Sequence, residues 1–88
     1  MAKTADDFCE EFLERFETFS DLEFIRAFNR EVGGGGWGVA RCGCFLAIRQ
    51  EFKNRAIDNS SIYDNGISYR RRVSLYEMNG KKFVLPIE

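Results

Sequence analysis

Apolar residues recur along the first quarter of the chain at helical spacing. Ala5, Phe8, Cys9, Phe12, Leu13, Phe16 and Phe19 share one arc at ~100° per residue, while Asp6, Asp7, Glu10, Glu11, Glu14, Arg15 and Glu17 fill the rest. This pattern predicts an amphipathic helix over about residues 5–19. Thr4 and Asp7 have the spacing of a capping box, and acid in the first turn suits the positive end of the helix dipole. A second capping pair, Ser20 and Glu23, opens a helix over about 21–32, with Leu22, Phe24, Ile25, Phe28 and Val32 inward and Arg26 and Arg30 outward. A third helix is expected over about 39–57. Phe45, Ile48, Phe52 and Ala56 make one of its ridges, and Val39, Cys42, Leu46 and Ile57 another, so it should lie at the centre of the domain. Its small residues Ala40, Gly43, Cys44 and Ala47 would let a neighbouring backbone approach. That accounts for a glycine costing about 1 kcal/mol in a helix interior. Arg49, Glu51, Lys53, Asn54 and Arg55 read as wetted positions.

Towards the C-terminus the period changes from 3.6 to 2. Residues 67–87, ISYRRRVSLYEMNGKKFVLPI, hold two β-rich runs, about 67–77 and 81–87, around Asn79-Gly80. Asn-Gly favours a two-residue type I′ hairpin loop, because both central positions need positive φ. That loop sets the register, with Tyr76 opposite Phe83, Ser74 opposite Leu85 and Glu77 opposite Lys82. One face then carries Arg70, Arg72, Tyr76, Phe83, Leu85 and Ile87, and the other Tyr69, Arg71, Val73, Leu75, Val84 and Pro86. Both are partly apolar, which a lone hairpin with one wet side does not require. Either a helix covers one face and a partner the other, or the sheet has more than two strands. Residues 58–66 read as a turn-rich connector in which Ile62-Tyr63 is the candidate extra strand. The expectation is one α+β domain spanning 1–88, a three-helix core followed by a C-terminal antiparallel β-hairpin.

Size and composition sharpen that picture. A chain of 88 residues buries only roughly 60–65% of its unfolded surface. Nine Phe, three Tyr and one Trp supply a dense core all the same. The first twelve residues lack an apolar signal segment, no run is long enough to span a membrane, and three cysteines make no disulfide framework. These features predict a cytoplasmic protein with free thiols. Charge is unevenly spread: residues 1–23 hold two basic and eight acidic residues, a net of −6, and the remainder carries a net of +5. The acidic helix either complements the basic half of the same molecule, or leaves a basic face open to an anionic partner.

The chemistry of catalysis is thinly represented. There is no His, the commonest general base and metal ligand. Cys42 and Cys44 stand two apart on a helix and so point in different directions, unable to share one ion or form a bridge. The carboxylates of helix 1 are the wet side of an amphipathic helix. Residues 33–38, GGGGWG, formally match GxGxxG, but a dinucleotide fingerprint follows a strand and this segment follows a helix. Gly33 reads instead as a helix C′ residue and Trp37 as a plug for the core. No enzyme, cofactor, metal or small-molecule substrate is expected.

Binding is what remains. The order helix, helix, helix, hairpin resembles that of winged-helix and helix-turn-helix domains, in which a β-wing follows the recognition helix. The resemblance implies nucleic-acid contact through the hairpin, with Arg70, Arg71, Arg72, Lys81 and Lys82 on phosphates and Tyr76 stacked on a base. The pI near 5.5 is low for that role, and charge on an edge strand also guards against aggregation. The favoured reading is a small regulatory or accessory protein that binds another protein, a second copy of the chain among the candidates. On the acidic side, Glu10, Glu14 and Glu17 offer an anion-mimicking surface to a basic groove, in the manner of small inhibitors carried by phages and mobile elements.

Overall fold

The structure, a computed structural model, describes residues 3–32, 38–63, 66–67 and 69–87. Three helices come first: α1 (Ala5–Glu17), α2 (Asp21–Glu31) and α3 (Val39–Asn54). Both predicted capping boxes form. Thr4 Oγ1 accepts from the Asp7 amide and Asp7 Oδ2 from the Thr4 amide, at 3.2 and 2.9 Å. Ser20 and Glu23 repeat the exchange at 3.1 and 2.9 Å. Two donors at each N-terminus are thereby satisfied. Gly38 is the N-cap of α3, in extended backbone. The expected roles of Gly33 and Trp37 lie outside the described residues.

The helices meet in two ways. At Gly43, α1 and α3 touch backbone to backbone. A Cβ there would stand 2.4 Å from Phe8 Cβ, 2.7 Å from the Ala5 carbonyl oxygen and 2.9 Å from the Cys9 nitrogen. The small-residue patch is therefore a close-approach site, as its composition predicts. Helix α2 runs antiparallel to α3, with Arg41 donating to the Glu31 carbonyl at one end and Arg55 to Asp21 at the other. It is held to α3 by rings. Phe24 and Phe28 meet Phe52 edge-on with centroids 5.1 and 5.9 Å apart, and Phe16 of α1 meets Phe24 at 5.3 Å. Such edge-to-face pairs add about 0.5–1.5 kcal/mol each beyond area burial. Phe24, Phe28, Phe52, Ile25 and Ile48 form the floor of the core, and Val73 and Val84 close it from the sheet.

Strands β1 (Ile57–Asp58), β2 (Val73–Met78) and β3 (Lys81–Pro86) make a mixed sheet in the order β1-β3-β2. The hairpin register is the one Asn79-Gly80 dictates: Tyr76 faces Phe83, Ser74 faces Leu85 and Glu77 faces Lys82. Asn79 and Gly80 have φ of 55° and 78°, both positive as a type I′ loop requires. The third strand is not Ile62-Tyr63. Ile62 is buried in a 3₁₀ turn (Ser60–Ile62), and Tyr63 makes only an isolated bridge to Ile67. Instead Ile57 and Asp58 pair in parallel with Lys82 and Phe83. This shortens the third helix from the expected 57 to Asn54. Arg55 caps it, and Ala56 at φ 53° turns the chain out of the helix in the left-handed conformation usually left to glycine.

The expected outward residues Arg26 and Arg30 are exposed, but two apolar sets lie differently from their pattern. Leu22 is exposed, and so are Val39, Cys42 and Leu46 along one side of α3. Helix α3 is central but open on that side: among the described residues no element packs over Val39, Cys42 and Leu46. Cys42 and Cys44 diverge as helical geometry demands, one exposed and the other buried, and all three cysteines are free. No helix among the described residues is long and apolar enough to cross a membrane.

Candidate functional site

The hairpin is bound to the helices through one face only. Val73 and Val84 are each 1% exposed, and Leu75 packs beside them. Asn29 of α2 fastens the edge of β2. Its carboxamide oxygen accepts from the Val73 amide at 2.8 Å, and its Nδ2 donates to the Val73 carbonyl at 3.0 Å. One side chain thus satisfies both backbone groups that a further strand would otherwise engage. Nearer the loop, Lys82 donates to the Asp21 carboxylate at the start of α2.

The other face is open. Tyr76 is 47% exposed, Met78 64%, Leu85 42% and Ile87 48%. Phe83 lies half-buried among them and stacks on Tyr76, with centroids 5.6 Å apart and planes at 20°. These side chains alternate with the buried ones along the same strands, so they form a continuous apolar row. A depression of about 740 Å³ at the base of the hairpin is lined by Val32, Arg70, Arg71, Arg72 and Ile87. Ile87 belongs to both the row and the depression. At the tip, Met78, Lys81 and Phe83 border a second hollow of about 530 Å³, with Asp58 of β1 among its lining residues.

The predicted basic cluster therefore divides. Arg70, Arg71 and Arg72 come together at the base. Lys81 is exposed at the tip, six residues along the strand and so roughly 20 Å away. Lys82 is tied to Asp21, and this hydrogen bond raises its pKa. Tyr76 stands midway, beside Phe83. Of the acidic set, Glu10, Glu14 and Glu17 are all exposed on α1. Glu14 and Glu17 share a groove with Leu13, Glu51 and Asn54, where α1 meets α3.

Sequence reasoning missed Arg55. Placed among wetted positions, it is a half-buried hub whose guanidinium side chain is 12% exposed. Nε donates to Glu51 at 2.5 Å, Nη1 to Asp21 at 2.7 Å, and Nη2 to the carbonyls of Phe16 and Phe19 at 2.6 and 2.8 Å. Its plane also lies over the Phe24 ring at 5.2 Å. The group thereby closes the C-terminal end of α1, the start of α2 and the end of α3. Burial pulls the Arg55 pKa down, but the bonds to Asp21 and Glu51 outweigh it and the net shift is upward. The Lys82 bond leads in holding the Asp21 carboxyl below its ordinary range, and Arg55 adds to it. Glu51 is buried as well, contrary to its reading as wetted. The only local signal was the Glu51-to-Arg55 spacing of four; the other partners arrive from distant segments.

A second buried polar group sits near the start of α3. The Tyr69 ring stacks between Phe28 and Phe45 at 5.1 and 4.2 Å, and its hydroxyl is buried with no hydrogen-bond partner among the described residues. Burial pushes the Cys44 thiol up to about 12, and the Glu31 carboxylate, 3.9 Å from Sγ, pushes the same way. A thiol so placed stays protonated and is a poor nucleophile. Among the described residues no group of three or more Cys, Asp or Glu is arranged to hold a metal ion.

No protein-family model, curated protein or solved structure matches the chain. The winged-helix resemblance accordingly rests on helix-then-hairpin order alone.

Proposed function

We propose that this chain is a small, non-catalytic accessory protein that acts by docking a partner protein on the outer face of the β2–β3 hairpin. The observation that carries this reading is the exposed row Tyr76, Met78, Phe83, Leu85 and Ile87 on a sheet whose reverse side is sealed against α2. Water contact with such a row is unfavourable by roughly 25 cal/mol per Å² of apolar surface, so a partner that covers it gains that term. Aromatic and Met side chains framed by arginine are also the composition enriched at protein interfaces. Site-specific photo-crosslinking in cells of origin tests the reading. A crosslinker at Leu85 should yield a discrete protein adduct that one at Arg26, exposed on α2, does not. Equal labelling from both positions, or none at Leu85, would refute it.

Nucleic acid is the second reading, favoured by the shared depression of Arg70, Arg71 and Arg72. It is weakened by the separation of Lys81 from them and by the engagement of Lys82 with Asp21, which leave a short basic patch and no stripe to follow a phosphate backbone.

A further inference from the structure

The charges around the apolar row restrict what can cover it. Cations stand at both ends, Arg70, Arg71 and Arg72 at the base and Lys81 at the tip. Along β2 and β3 the acidic residue is Glu77, and it alternates to the opposite face, across from Lys82. The outer face of β2 and β3 is thus an apolar strip about six residues long. Asp58 of β1 stands level with Phe83 on the same face and borders the tip with Lys81, so the net positive end is the base.

A second copy of this face fits poorly. Stacked on the first with the strands in the same direction, it would bring Arg70–Arg72 against their own copies, and like-charge juxtaposition is a strong term against a partner. Stacked in the opposite direction, it would offer those three arginines one carboxylate, Asp58, that already stands beside Lys81. Nor does the acidic α1 of a second copy fit, because its phenylalanines are turned inward and none is exposed, so it offers carboxylates without apolar side chains to cover the row. Duplex or single-stranded nucleic acid would satisfy the arginines and leave Met78, Leu85 and Ile87 without apolar contact.

We infer that the partner presents an extended protein segment whose apolar side chains lie along Tyr76, Phe83 and Leu85, and whose Asp or Glu residues at one end meet Arg70–Arg72. The inference rests on the docking face proposed above and adds the chemistry of its occupant. The Arg70–Arg72 depression receives the negative charge, because three guanidiniums border it and Ile87 joins it to the strip. Guanidinium forks take carboxylates in bidentate geometry. They therefore set orientation as well as attraction.

Fluorescence anisotropy with the full chain and three labelled probes tests this at low salt. The probes are a dodecapeptide of alternating Val and Thr followed at one end by three Asp, the same peptide with Lys in place of Asp, and a twelve-nucleotide single strand. The acidic peptide should bind at least tenfold tighter than the basic one. It should weaken at least tenfold in the Arg70→Glu/Arg72→Glu variant and again in Met78→Ser/Leu85→Ser, with circular dichroism unchanged in both. Five results would overturn the inference. Equal binding of both peptides, lost in Met78→Ser/Leu85→Ser, refutes the acidic occupant while keeping the docking face. Peptide binding indifferent to Met78→Ser/Leu85→Ser, or no peptide binding, removes the face as well. Tighter binding of the oligonucleotide, abolished by Arg70→Glu/Arg72→Glu, transfers the site to nucleic acid. A dimeric mass by sedimentation that reverts to monomer in Met78→Ser/Leu85→Ser assigns it to a second copy.

Discussion

The two faces of one hairpin have opposite fates. Val84 is buried to 1% and its neighbour Leu85 is 42% exposed. Val73, Leu75 and Val84 close the helical core, whereas Tyr76, Met78, Leu85 and Ile87 are exposed and Phe83 is half-buried against Tyr76. Residue type does not separate the two rows, since both are apolar. Position relative to α2 does: the helix lies under one face, tied to it by Asn29 and by Asp21. An apolar side chain in a strand thus shows that something covers it only when a covering element can be named from the same chain. Among the described residues one row has its cover and the other has none.

The sharpest way to break that contrast is to place the same charge at adjacent positions. Val84→Asp should cost more than about 3 kcal/mol by urea denaturation, because it buries an unpaired carboxylate, and in a small domain that is a large part of the total. Leu85→Asp, one residue on, should change stability by less than about 0.5 kcal/mol. Similar losses at both sites would mean that the outer row is covered within the monomer. Asn29→Ala comes next. It leaves the Val73 amide and carbonyl without their partners and should cost about 1–3 kcal/mol, read from the same denaturation curves. The effect should be absent when Tyr76, on the outer face, is replaced by Ser.

The smallest expected effect is one of pH. Hydrogen bonds from Lys82 first, then Arg55, hold the Asp21 carboxyl below its ordinary value of 3.8. A depressed carboxyl lends stability that is present above that value and is lost as pH falls through the lower, folded one. Stability should therefore drop as pH falls below about 4, and Asp21→Asn should flatten that limb. Part of it should persist, since Glu23 and Asp58 are also lowered, each chiefly by a backbone amide. Met78→Ser/Leu85→Ser should leave the limb unchanged. If it moves the limb as Asp21→Asn does, the two faces are coupled.

Much of this architecture was legible because its signals are local. Thr4 with Asp7 and Ser20 with Glu23 lie three apart and mark the helix starts; Asn79-Gly80 carries its own backbone requirement and with it the register of twelve further residues. What escaped was long-range. Ile57-Asp58 is a two-residue strand whose partner lies 25 positions on, and helical periodicity simply runs through it. Arg55 repeats the polar rhythm of α3, and nothing nearby says that the carbonyls of Phe16 and Phe19 will reach it. Lys82 reads as one more hairpin cation because Asp21 stands 61 residues away. For the site, the row of outward apolar residues was visible as a second half-apolar face. The division of its flanking cations depended on tertiary neighbours and was not.

The contact at Gly43 bears on how this protein can vary over generations. Any side chain there meets main-chain atoms of α1, which have no rotamer to yield. Exchange of even one hydrogen for a methyl has to be answered by lifting a whole helix away from its neighbour, and with it the carboxylates of Glu10, Glu14 and Glu17 that ride on it. Drift can readily rewrite the letters of the outer hairpin face while position 43 stays closed to substitution, so in a saturation library it should be the most intolerant position of α3.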